Sequence, residues 1–233
     1  MRAGHGDGES GRSEATVAIV PLSDASRSSA AIPVATALIV AANAICFVLE
    51  LSGGDTFVMR WSAIPAQITS GHHLETLFTS MYMHASWSHI IGNMLFLWAF
   101  GPAIEDSMGP VLYVVFYTLG GIVGMLCQVG VSPHSMVPNL GASGAIASVM
   151  GAFIVTYPRD RIKSILIIGW FARITFIPAA LLIGVWFLLQ LINSGVVVDN
   201  SQQGGVAYLA HIGGVIFGAV FGRLFELPRR LAH

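Results

Sequence analysis

Two polar residues that lie far apart in the chain, Ser143 and His211, have the side chains that a hydrolase needs. A serine hydroxyl becomes an effective nucleophile when a neighbouring base takes its proton during attack, and histidine, with a reference pKa of about 6.5, suits that task. Both residues adjoin or interrupt apolar segments, where a polar side chain costs free energy unless it has a role. The pair predicts acyl-transfer chemistry, with Ser143 as nucleophile and His211 as general base.

A second polar pair, His89 and Asn93, lies within another apolar segment, with His84 just upstream. A spacing of four places His89 and Asn93 on one face of a helix. Acyl transfer passes through an oxyanion, and loss of one donor to it can slow the reaction by a factor of about 10² to 10³. We predict that His89, Asn93 and the backbone N–H of Ser143 stabilise that oxyanion. The alternative is that His89 and Asn93 form a buried hydrogen bond between two helices.

Acidic residues lie at the ends of the apolar segments rather than inside them, as Glu50, Glu105 and Asp106 show. No carboxylate is therefore predicted to orient His211, and a Ser–His dyad is favoured over a triad. Within the apolar segments, His, Cys, Asp and Glu do not cluster with the spacing of metal ligands. We accordingly predict no metal and no cofactor.

The composition indicates a membrane protein. The 233 residues are 55% hydrophobic and 10% charged, with a mean hydropathy of +0.73, whereas about a quarter of the residues of a soluble domain are charged. The formal net charge is −1, and no basic patch favours a nucleic-acid partner. The lipid bilayer is the predicted environment, and no oligomeric state is predicted.

Six apolar segments predict the architecture. At 1.5 Å per residue, about twenty residues cross a hydrocarbon core of about 30 Å. The fold class is therefore predicted to be all-α, a bundle of six transmembrane helices. Residues 165–171 are too few to cross and are predicted to lie at the interface. The six segments are residues 32–51, 87–104, 111–131, 143–157, 174–192 and 206–225.

The predicted domain organisation places this bundle between two short tails. Residues 1–30 are polar and are assigned no fold, residues 31–228 form the six-helix domain, and residues 229–233 form a short C-terminal tail. Basic residues cluster before the first segment, between the fourth and fifth, and at or beyond the end of the sixth. The positive-inside rule then predicts a multi-pass protein of the cell membrane with both termini cytoplasmic. The basic residues concerned are Arg2, Arg12, Arg27, Arg159, Arg161, Lys163, Arg173, Arg223, Arg229 and Arg230.

The fourth and sixth segments are predicted to pack together. Ser143 and His211 each lie fourteen residues before the inner end of their segment, which places both about 21 Å from that boundary. Gly214 and Gly218 repeat every four residues on the sixth segment, and Gly144 lies on the fourth. Small residues let membrane helices approach closely. This packing would bring His211 to Ser143.

These motifs resemble those of the rhomboid family of intramembrane serine proteases. The resemblance covers residues 32–225. It consists of the sequence HASWSH at residues 84–89 followed by Asn93, then GASG at residues 141–144, then AHIGG at residues 210–214. Each motif lies on the segment expected for that family, and the order along the chain is the same.

The resemblance implies the roles already derived for the two polar pairs, and it adds Gly141, Gly144 and Glu105 as supporting residues, with Glu105 structural at the inner end of the second segment. His84 is expected to position its loop. It also implies that the substrates are transmembrane proteins, single-pass or multi-pass, which enter laterally near the fifth segment and are cut after a small side chain.

The sequence departs from the family pattern at two places. Many rhomboids carry an aromatic residue four positions after the serine, on which the catalytic imidazole rests, and here that residue is Ala147. A Trp-Arg pair common in the first outer loop is replaced by Glu75 and Thr76. Two other functions stay open: a non-proteolytic rhomboid-like protein that binds membrane clients, and a small transporter or channel. The sequence shows neither inverted repeats nor intramembrane acids to favour transport.

Overall fold

The structure, a computed structural model, describes residues 17–26, 32–197 and 208–227. Most of the two predicted tails, including the arginines at positions 2, 12, 27, 229 and 230, lies outside the described residues.

The described chain is mostly helical. Its helices are α1 Val34–Trp61, α2 Pro65–Thr69, α3 Thr76–Thr79, α4 Trp87–Met108, α5 Pro110–Val131, α6 Ser143–Thr156, α7 Ala179–Val197 and α8 Tyr208–Phe221. Short 3₁₀ turns follow α3 at Ser80–Tyr82 and α8 at Gly222–Phe225. Its strands are β1 Val17–Asp24, β2 Arg161–Ile168 and β3 Phe171–Pro178.

Three described helices are long and apolar enough to cross a bilayer: α1, α5, and α8 together with its 3₁₀ turn. Helix α6 and the first part of α7, residues 179–188, are apolar but shorter. Helix α1 breaks at Gly54, whose φ of 57° is rarely adopted by other residues. The apolar part of α1 before this break matches the first predicted span. The count of six spans stays a prediction.

A three-stranded antiparallel sheet, in the order β1-β2-β3, corrects the prediction of an all-α fold. The β2–β3 hairpin turns at Gly169, which has a φ of 59°. Residues 165–171, predicted to lie at the interface, belong to this hairpin, and α7 begins at residue 179 rather than 174. The physical reason is local: Ile174, Thr175 and Ile177 are β-branched and favour a strand, and Pro178 disfavours helix at the residue before it.

Strand β1 lies within residues 1–30, for which no fold was predicted. It pairs with β2 from Val17↔Ile168 to Asp24↔Ile162, with a register shift between Pro21 and Ser23. Pro21 is buried. The eight residues 17–24 are too few to be recognised as a structural element on their own. Their partner strand lies more than a hundred residues further along the chain.

Helix α6 forms the centre of the bundle, and its residues 144–153 are all buried. It packs against α8 through backbone rather than through long side chains. A Cβ added at Gly214 would overlap the carbonyl oxygen of Gly144, and one added at Gly218 would overlap that of Ser148. The predicted packing of these two helices is confirmed. A Cβ at Gly144 would lie 3.5 Å from the carbonyl oxygen of Ala210, so the close approach depends on the glycines of α8.

Replacement of Gly218 by alanine tests this contact. The added methyl group must push α8 away from the Ser148 carbonyl, so we expect the free energy of unfolding to fall by about 2 kcal/mol. The measurement is thermal unfolding of purified protein in detergent. Gly130→Ala is the matched control, because nothing lies within 4 Å of a Cβ at that helical glycine. Equal stability of Gly218→Ala and wild type would contradict the packing.

Glu105 joins the start of α1 to the end of α4. Its carboxylate accepts hydrogen bonds from the backbone N–H groups of Ala35 and Thr36, both 2.8 Å, and from the Thr36 hydroxyl at 2.7 Å. These N–H groups belong to the first turn of α1, where helix donors lack intrahelical partners and negative charge is stabilised. Glu105 therefore caps α1 from the neighbouring helix.

Replacement of Glu105 by glutamine should weaken this cap. The amide keeps one acceptor oxygen but places an NH₂ group against the backbone donors of α1, so we expect the free energy of unfolding to fall by about 2 kcal/mol. Asp106→Asn is the control, since the adjacent carboxylate is exposed. The check is chemical or thermal unfolding in detergent, and a Glu105→Gln protein as stable as Asp106→Asn would rule out the capping role.

Candidate active site

Ser143 is the first residue of α6, and backbone hydrogen bonds fix the loop that precedes it. Upstream, Asn139 and Ala63 pair through two backbone hydrogen bonds of 2.8 and 2.9 Å. Gly141 donates its N–H to the carbonyl of Ser80 at 2.9 Å. Gly141 has a φ of 129°, in the region that glycine tolerates and other residues rarely adopt. The serine therefore enters the helix from a constrained turn.

His211 lies on α8 with its imidazole directed at Ser143. Its Nε2 atom is 2.5 Å from Ser143 Oγ, within hydrogen-bonding distance. Only 2% of His211 is exposed, whereas Ser143 is half-buried. The contact between these two residues follows from the close approach of α6 and α8, because Gly214, one turn after His211, touches the carbonyl of Gly144.

His89 and Asn93 face the same place from α4. With Ser143 they line a cavity of ≈ 190 Å³. A Cβ at Gly141 would lie 2.9 Å from the Cε1 and Nε2 atoms of His89 and 3.6 Å from Ser143 Oγ. The imidazole of His89 therefore packs directly over Gly141. The predicted residues Ser143, His211, His89, Asn93 and Gly141 are brought together in one site.

Asn93 contributes a hydrogen-bond donor to this site. Its Nδ2 atom is buried and, among the described residues, has no hydrogen-bond partner. Most buried polar groups in proteins are paired, so an unpaired amide nitrogen in the cavity that Ser143 lines is unusual. Its two N–H bonds remain available to an oxygen atom in the cavity.

His84 is not one of the reacting residues, but its ring packs against that of His89. Its ring centroid is 5.1 Å from that of His89, at an interplanar angle of 75°, and the residue is 1% exposed. Burial, and after it the nearby His89, lowers the pKa of His84 to about 3, so its imidazole is neutral near pH 7. Its backbone N–H donates to Glu50 Oε2 at 2.9 Å. The role of the His84 side chain in positioning the loop stays a prediction.

Three residues that support the site were not predicted from the sequence. Glu50, buried on α1, holds the His84 backbone. Ser86 is the N-cap of α4 and accepts from the His89 backbone N–H at 3.2 Å. Trp186 on α7 places its ring 5.2 Å from the His211 ring. Only Ser86 has a recognisable sequence signal, a serine at the start of an apolar helix.

An ion pair joins the end of α1 to Glu75, one of the two residues that replace the Trp-Arg pair of the family pattern. Arg60 Nη1 lies 3.0 Å from Glu75 Oε1, and His73 Nδ1 lies 3.2 Å from the same oxygen. The hydrogen bond from Arg60 is the main cause that lowers the pKa of Glu75 to about 2. Both side chains of the Arg60–Glu75 pair are about half exposed, so the contact orders the loop and contributes little stability.

Comparison with known proteins places the chain in a family. The model of the family described as Rhomboid domain matches residues 71–227, which is more than half of the chain. The chain belongs to the rhomboid family. Together with the apolar helices, this membership identifies it as a membrane protein.

Several relatives are similar over most of the chain. Rhomboid protease GluP of Bacillus subtilis is 30% identical over 187 residues, which cover 78% of this chain and 33% of that protein. RHOMBOID-like protein 12, mitochondrial, of Arabidopsis thaliana is 28% identical over 78% of this chain and 55% of that protein. The presenilin-associated rhomboid-like protein, mitochondrial, of Rattus norvegicus is 28% identical over 77% of this chain and 45% of that protein. The chain thus spans one third to just over half of the length of these relatives.

Proposed function

We propose that this rhomboid is an intramembrane serine endopeptidase that hydrolyses peptide bonds in or near the transmembrane segments of membrane proteins. The observation that carries the proposal is the 2.5 Å approach of His211 Nε2 to Ser143 Oγ beside a cavity lined by His89 and Asn93. A nucleophile, a base in contact with it and nearby oxyanion donors form the set that acyl transfer needs. No cofactor is required for this chemistry.

The reaction proceeds in two halves. Ser143 Oγ attacks the carbonyl carbon of the peptide bond while its proton passes to His211 Nε2. The tetrahedral intermediate collapses when His211 returns that proton to the departing amine, which leaves an acyl ester on Ser143. A water molecule then attacks the ester as His211 takes its proton. Collapse of the second intermediate restores the serine hydroxyl and releases the carboxylic acid.

The oxyanion of both intermediates needs donors that are already in position. Asn93 offers an unpaired buried amide among the described residues, and His89 packs over Gly141 beside Ser143 Oγ. The backbone N–H of Ser143, at the start of α6, adds a donor at the positive end of a helix dipole. Because these groups are held by α4 and α6, little reorganisation accompanies the charge as it forms.

The membrane arrangement is part of the same proposal. Residues 31–228 form a protease domain of six spans in the cell membrane, with residues 1–30 and 229–233 on the cytoplasmic side. The basic residues between α6 and α7, which include Arg161 and Lys163, then face the cytoplasm. Transmembrane substrates reach Ser143 laterally from the bilayer. Water reaches it from the outer side of the membrane, opposite the cytoplasm.

Removal of either member of the dyad should abolish catalysis. We expect Ser143→Ala and His211→Ala to lose cleavage of a transmembrane substrate, by at least about 10³-fold, while remaining inserted and folded. A fluorophosphonate should label wild type at Ser143, mapped by mass spectrometry, and should label neither variant. Labelling tests the activated serine without knowledge of the natural substrate.

Two results would count against the proposal. Cleavage by Ser143→Ala protein would exclude Ser143 as the nucleophile. Folded wild type that the reagent fails to label would favour the non-proteolytic function of a client-binding rhomboid. The control variant is Ser88→Ala, which removes a hydroxyl that also lines the cavity but lies outside the dyad, and it should retain labelling.

Replacement of Asn93 by alanine should lower kcat more than it changes substrate binding. In Asn93→Ala protein the dyad is intact but one oxyanion donor is lost, so kcat should fall by about 10² to 10³-fold with KM little changed. Steady-state kinetics on a transmembrane peptide in detergent measure both constants. An Asn93→Ala protein with unchanged kcat would show that the amide serves only the packing of α4.

A further inference from the structure

The imidazole of His211 is flanked by aromatic rings, although the position four residues after Ser143 holds alanine. The Trp186 ring on α7 has its centroid 5.2 Å from that of His211, at an interplanar angle of 47°. Tyr208, one turn before His211 on α8, contacts the imidazole edge-on at 6.2 Å and 88°. His211 is therefore held by one ring from its own helix and by one from a neighbouring helix.

The position four residues after Ser143 supplies no ring because it is Ala147. It is fully buried, and its Cβ would lie 3.0 Å from a Cβ placed at Gly214. This is the surface through which α6 and α8 make backbone contact. Alanine supplies no ring, so in this chain the aromatic contacts to His211 come from other residues.

Trp186 is well placed to provide that support because its ring is anchored on the far side. Its centroid lies 6.2 Å from that of Phe96 on α4. Phe96 stacks on Phe100 at 6.2 Å and 22°, and Phe100 meets Phe153 of α6 at 5.1 Å. A continuous row of rings thus connects the core of the bundle to the His211 imidazole. Aromatic contacts of this kind favour defined orientations.

We propose that Trp186 is a positioning residue that holds the His211 imidazole toward Ser143, and that α7 thereby controls the alignment of the dyad. The inference rests on the proposed function. Trp186 also lines the cavity that contains Ser143, so the ring that supports His211 belongs to the wall of the same cavity.

The experiment separates alignment of the dyad from entry of the substrate. A small fluorophosphonate reports the reactivity of Ser143, whereas a transmembrane peptide reports reactivity and entry together. For Trp186→Ala we expect both the labelling rate of Ser143 and kcat to fall about tenfold, with KM for the peptide unchanged or lower. Trp186→Phe, which keeps a ring, should stay within about twofold of wild type in both assays.

The control is Leu188→Ala. Leu188 is 54% exposed and lies two residues after Trp186, on the opposite face of α7. This variant should label and cleave like wild type. If Trp186→Ala fails to fold, judged by thermal unfolding, the comparison passes to Trp186→Leu, which keeps much of the apolar volume but lacks the ring and should be slower than Trp186→Phe.

Three outcomes would each refute one claim: the positioning role of Trp186, the need for its ring, or the proposed protease function. A labelling rate for Trp186→Ala equal to wild type, with only KM changed, would make Trp186 a wall of the substrate path and refute its positioning role. Equal rates for Trp186→Leu and Trp186→Phe would refute the role of the ring. Wild type that is folded but unlabelled would instead overturn the proposed protease function itself, and this result is distinct from the other two.

Discussion

The close backbone approach of α6 and α8 is the constraint on which the rest of the site depends. Gly214 and Gly218 leave room for the carbonyl oxygens of Gly144 and Ser148. This contact sets the distance between the axes of the two helices. Ser143 at the start of α6 and His211 near the start of α8 then meet at 2.5 Å. A serine and a histidine on helices separated by larger side chains would be too far apart for direct proton transfer.

Polar contacts hold the other helices around this central pair. Glu105 fixes the start of α1 against the end of α4, and Glu50 fixes the loop that precedes α4. Both carboxylates are buried, and buried polar groups must be paired, so these two contacts allow little alternative geometry. Ser86, which is exposed, caps α4 next to His89. The placement of His89 beside Ser143 is therefore specified from both ends of α4.

Hydropathy and motif order predicted the helices and the polar residues of the site because both depend on local sequence. The sheet depends on pairing between distant residues, because residues 17–24 form a strand by pairing with the edge of β2. Residues 174–178 were predicted to begin the fifth span because they continue into an apolar segment, and their β-branched side chains were a weak signal against that background. Trp186 was missed for a related reason, since an aromatic residue on an apolar helix has no sequence feature that distinguishes contact with His211 from contact with lipid.

Aromatic support for His211 reaches the site from α7. Ala147 is fully buried on the face of α6 that packs against α8, and it supplies no ring. The row of rings that ends at Trp186 supplies this support from α4 and α7. Support from the same helix as Ser143 would be independent of α7. Support from α7 makes the orientation of His211 depend on a helix whose Trp186 lines the cavity.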